Sequence, residues 1–136
     1  MAKPEQVIGY MVQHSLGNEK TPVLFIEKDT RAVNALVGAI GVLAVAKWFH
    51  LVLMVNGQLG FIPVSGLGTL QDEFKVLDPR RITKYKPGSH SDYMSVDFGG
   101  DTKPMKLRIR HGGLVRYNKD IELLRQLVAI HGIPAK

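Results

Sequence analysis

Ten lysines and arginines stand between Arg80 and Lys119 against three acids, Asp92, Asp97 and Asp101, while the rest of the chain holds eight basic and nine acidic side chains. One contiguous third of the sequence therefore carries the whole formal charge of +6. A field of that sign draws anionic partners to whatever surface bears it. Within this third, MKLRIR over Met105–Arg110 alternates cleanly: Met105, Leu107 and Ile109 point one way, Lys106, Arg108 and Arg110 the other. As a strand, that segment lines three cations along one face at intervals of ~7 Å. RITKYK, from Arg81 to Lys86, adds Arg81, Lys84 and Lys86, with Ile82, Lys84 and Lys86 on one face and Arg81, Thr83 and Tyr85 on the other. This imperfect alternation points to a sheet edge. The expected anion contacts are Arg81, Lys84, Lys86, Lys106, Arg108 and Arg110; basic residues on outward strand positions also discourage edge-to-edge pairing, which gives the same pattern a purely structural use.

Catalytic arrangements are not apparent. The five histidines, 14, 50, 90, 111 and 131, form no His-x-His or His-x-x-x-His pair and no acidic cluster accompanies them, so no metal is expected. Ser89-His90-Ser91-Asp92 holds the residue types of a hydrolase triad, but neighbours in one loop cannot adopt the geometry that proton relay demands, and a turn accounts for them better. Gly66 and Gly68 are not followed by the lysine and hydroxyl residue of a phosphate-cradling loop. With no cysteine, disulfides and thiolate metal sites are excluded. The reading is of a non-enzymatic chain without cofactor. MAKPEQVIGYMVQ lacks the charged, apolar and small-residue progression of a cleaved signal peptide, so a cytoplasmic location, peripheral at a membrane if the cations bind lipid, is expected.

These cations have to be positioned by a fold organised around Ala32–Val55, the most apolar stretch of the 136 residues. Only Asn34, Lys47 and His50 interrupt it strongly, and its length approaches the ~20 apolar residues of a spanning helix. Lys47, Trp48 and His50 split it, however, into an alanine- and leucine-rich piece that reads as a buried helix over about residues 31–46 and a strand over Phe49–Val55; a membrane-inserted helix is the alternative. Ala35, Gly38, Ala39 and Gly41 have the small-residue spacing that lets helices approach closely, which offers a homo-dimer contact.

Elsewhere, Gln6–His14 reads as a strand or a helix start, Pro22–Glu27 as a strand, and Asn56-Gly57 as a hairpin turn returning through Leu59–Val64, where Pro63 belongs at an edge or an end. Strands are expected over Glu73–Leu77, Arg81–Lys86, Tyr93–Phe98 and Met105–Arg110, and an amphipathic helix over Lys119–His131, capped by Asn118 and stopped by Gly132 and Pro134. The fold class is α+β in one domain, 1–136: a small antiparallel, partly open β-barrel or sheet capped by a C-terminal helix.

From Phe49 onward, LVLMVNGQLGFIPVSGL, FKVLDPRRITKYK, the YMSVDF and GGDTKPMKLRIR hairpin and the closing IELLRQLVAIHG resemble, in their order of elements, the pleckstrin-homology-like superfamily, its small bacterial members and the GRAM domains. The alanine-rich segment before Phe49 departs from that pattern. The resemblance implies a binding scaffold for lipid headgroups or proteins, with basic residues beside a sheet opening and no catalysis; Lys84, Lys86, Lys106, Arg108 and Arg110 are the positions carried over. An anionic lipid or acidic protein surface is the expected partner. Nucleic acid is the alternative, with Tyr85 and Tyr93 as stacking groups.

Overall fold

The computed structural model describes residues 4–28, 47–64, 70, 73–99, 104–112 and 120–134. Seven strands form one antiparallel sheet that curls into an open half-barrel: β1 Val23–Lys28, β2 Trp48–Leu53, β3 Leu59–Val64, β4 Lys75–Leu77, β5 Ile82–Lys86, β6 Ser91–Val96 and β7 Met105–Arg110. Their spatial order is β4-β3-β2-β1-β7-β6-β5. Two meanders thus meet where β1 lies against β7, a junction of only two register pairs, Glu27 with Arg108 and Lys28 with Leu107. Helices α1, Pro4–Gln13, and α2, Ile121–Ile130, with a 3-10 turn over Pro79–Arg81, complete the described structure.

Local chemistry explains the elements. Leu24 and Ile26, Phe49 and Leu51, Leu59 and Phe61, Met94 and Val96, and Leu107 and Ile109 alternate into one core, which Leu124 and Val128 of α2 close. On the opposite side of the sheet Val52 and Ile62 pack with Val7, Met11 and Leu16 from α1 and its following turn. The segment left open between strand and helix is a helix, since Val7 and Met11 are buried one turn apart.

Asn56-Gly57 does turn the hairpin, but only Gly57 adopts a positive φ, +87°. Gly57 N–H donates to the Met54 carbonyl and Met54 N–H to the Gln58 carbonyl, both at 3.0 Å, the signature of a three-residue loop that closes through a left-handed glycine. Pro63 stands opposite Phe49 while β4 pairs only with Leu59–Phe61, so the missing N–H interrupts no described ladder. α2 ends as expected: Gly132 takes φ +64° and Ile133 N–H reaches back to the Val128 carbonyl at 3.2 Å. Asp120 is its N-cap, and Asn118 lies outside the described residues.

One expectation is corrected, and one alternative is set aside. β5 contains a register shift between Ile82 and Lys84, so Ile82 and Tyr85 both face the core while Lys84 and Lys86 face out; the uneven alternation of RITKYK records a bulge that inserts one residue on the edge strand. Residues 48–53 are a strand, so Ala32–Val55 is not one continuous helix, and among the described residues no helix is long and apolar enough to cross a membrane. The helix expected over 31–46 and the dimer contact through Ala35–Gly41 lie outside the described residues.

Candidate functional site

Because α1 covers the outer side of β2 and β3, the outer side of the sheet divides in two. On its other half, register aligns Lys84, Ser95 and Lys106 in one row and Lys86, Tyr93, Arg108 and Glu27 in the next, across β5, β6, β7 and β1. Strand spacing places the Lys84 and Lys106 backbones ~10 Å apart with Ser95 between them, and Lys86 ~7 Å further along β5. Lys84, Lys86 and Lys106 are exposed, and with Tyr93 and Ser95 they rim a shallow depression of about 170 Å³. Among the described residues no carboxylate pairs with any of these three lysines.

The remaining cations of the expected set are placed differently. Arg108 and Arg110 share the outward face, but both bind the Glu27 carboxylate, at 2.7 and 2.6 Å. Arg81 sits at the opposite end of β5 from Lys86 and pairs with Asp97 at 3.4 Å. The structure therefore brings together Lys84, Lys86 and Lys106 as cations unpaired among the described residues, sets Arg108 and Arg110 beside them in a partly neutralising contact, and leaves Arg81 apart. Chemically the three ammonium groups can surround one multivalent anion, with the Ser95 hydroxyl as a neutral donor; flexible, strongly hydrated lysines suit a diffuse anionic surface.

Tyr85 is not available for stacking on a base. Only 2 % exposed, it donates its hydroxyl to Asp92 Oδ2 at 2.5 Å. Asp92, which its SHSD context places in a turn, is fully buried under α2 and is the centre of a polar cluster. Arg125 grips it in two-pronged fashion, Nε to Oδ2 and Nη2 to Oδ1, each at 2.8 Å. His111 Nε2 lies 2.6 Å from Oδ1, its Nδ1 faces the Ser89 carbonyl at 3.1 Å, and Gly88 N–H donates to Oδ1 at 3.1 Å. A side chain at position 88 would place its Cβ 2.3 Å from the Ser91 carbonyl oxygen, so glycine is required there. Burial opposes ionisation of Asp92, yet hydrogen bonds from Arg125, Tyr85, His111 and Gly88 outweigh it and hold the carboxyl well below its usual range. Burial, then the bond to Asp92, pushes the Tyr85 hydroxyl up and keeps it a donor.

This cluster ties β5, β6, the end of β7 and α2 together. Ser89, His90 and Asp92 do not assemble as a triad: Ser89 Oγ contacts His90 Nδ1 at 3.0 Å while Asp92 turns inward to other partners. Two signals marked the cluster in the sequence. Asp92 extends the inward alternation of Met94 and Val96 by one step, and Arg125 stands one turn from Ile121 beside the buried Leu124. No group of three or more potential metal ligands occurs among the described residues. No protein-family model, curated protein or solved structure matches the chain. The site is thus defined by its geometry: an α+β scaffold whose open sheet presents a basic, partly self-neutralised face.

Proposed function

We propose that the protein is a non-catalytic binding module that docks on an anionic membrane surface through the outer face of β5, β6 and β7. The observation that carries this reading is the convergence of Lys84, Lys86 and Lys106, exposed and unpaired among the described residues, around one depression on a sheet face that α1 leaves open. Each lysine near an anionic bilayer contributes about 1 kcal/mol, so three give a weak, reversible attachment that depends steeply on surface charge. The pleckstrin-homology-like resemblance of the sequence from Phe49 onward implies a headgroup- or protein-binding scaffold, which agrees with this reading. A cytoplasmic protein that is peripheral at the membrane is the corresponding location.

Partition into phosphatidylcholine vesicles containing increasing phosphatidylserine tests this. Binding is expected to rise with the anionic fraction and to fall as salt is added. Equal partition into neutral and anionic vesicles would overturn the reading. A short single-stranded oligonucleotide serves as competitor: if it binds more tightly than the vesicles, with a steep salt dependence, the face belongs to a nucleic-acid-binding protein instead. With Tyr85 buried, Tyr93 is the one member of the expected stacking pair left on the basic face, which favours the membrane reading.

A further inference from the structure

The basic face continues past the lysines into a contact that weakens it from within. Glu27, on β1, lies directly across from Arg108 at the short β1 and β7 junction and extends the row that begins at Lys86. A single oxygen, Oε1, receives Arg108 Nε and Nη2 at 2.7 Å and Arg110 Nε at 2.6 Å. Glu27 is largely covered, its side chain 19 % exposed, whereas the Arg110 side chain is 60 % exposed. A carboxylate oxygen held by three guanidinium nitrogens occupies the place that an oxygen of a bound phosphate or carboxylate would take between the same two arginines.

We propose that Glu27 is an internal restraint on anion binding. It competes with the anionic partner for Arg108 and Arg110, and its one negative charge offsets part of a face that carries five cations. The restraint determines how much surface charge the protein needs before it docks, and without it Arg108 is open to an anion beside the lysine depression. This inference rests on the membrane-docking reading above.

Glu27→Gln, measured by partition into phosphatidylcholine vesicles with a fixed phosphatidylserine fraction, tests it. The variant retains the side-chain shape but removes the competing charge, and a rise in partition of about fivefold is expected from the loss of that one opposing charge. Glu19→Gln is the control: it changes net charge equally from an exposed turn away from this face, and screening over ~8 Å at physiological ionic strength limits its effect to less than twofold. Glu27→Thr, suited to an outward strand position, carries the same expectation should the glutamine variant fail to fold. Equal effects of the Glu27 and Glu19 changes, or no rise in a folded Glu27 variant, would overturn the restraint while leaving the docking reading intact. Failure of the unaltered protein to prefer anionic vesicles would overturn both.

Discussion

Asp92→Ala is expected to lower the free energy of unfolding by about 3 kcal/mol, read as a shift of the urea midpoint with unchanged slope. The carboxylate is fully buried and satisfies the Arg125 guanidinium, the Tyr85 hydroxyl, His111 and the Gly88 amide at once. Its removal strands a buried hydroxyl and two cationic or polar groups, which is the costly way to break such a cluster. The Arg125 and His111 side chains keep 30 % and 26 % exposure and regain some hydration, so the lower end of the range for buried pairs applies. The same carboxyl fixes an acid limit. Since its folded-state pKa is depressed, the unfolded chain takes up the proton first; the stabilisation is complete above about pH 5 and drains away as pH falls below about 4. The unaltered protein should therefore lose stability on acidification over that range more steeply than the alanine variant. A change below ~0.5 kcal/mol, the size of an ordinary surface substitution, would show that the cluster does not fasten α2 to the sheet.

The second large effect concerns binding and spares the fold. Changing Lys84, Lys86 and Lys106 together to alanine is expected to reduce partition into anionic vesicles more than a hundredfold, from about 1 kcal/mol for each cation near the surface. All three are exposed on outward strand positions, so the unfolding midpoint should remain close to that of the unaltered protein. Arg81→Ala, which acts on a cation paired with Asp97 at the far end of β5, should leave binding within about twofold. Comparable losses from Arg81 and from the lysines would mean that net charge, and no particular face, governs attachment.

Much of this arrangement is written in local sequence pattern. Met105–Arg110 faces as its alternation requires, Gly57 turns the hairpin, and Gly132 closes α2, because each depends on neighbours within a few residues. What escaped local reading depends on contacts between distant segments. Glu27 pairs with cations 81 and 83 residues away, and nothing in VLFIEK says which strand will lie beside it. The bulge in β5 shows as a broken alternation whose cause appears only when β6 is set against it. Asp92 looked like a turn residue because SHSD is polar throughout; its inward direction is the alternation of Met94 and Val96 continued, and its charge is tolerated there because Arg125 arrives from the far end of the chain. The basic face was legible as composition, whereas its division into free lysines and restrained arginines was not.

Lysine-selective acetylation of the protein with and without anionic vesicles, read residue by residue by mass spectrometry, locates the contact directly. Lys84, Lys86 and Lys106 should become protected together as the anionic lipid fraction rises, while Lys20 and Lys75, exposed elsewhere, continue to react at their free rate. Uniform protection of all five lysines, or protection confined to Lys20 and Lys75, would contradict the assignment of the outer face of β5, β6 and β7 as the surface that meets the membrane.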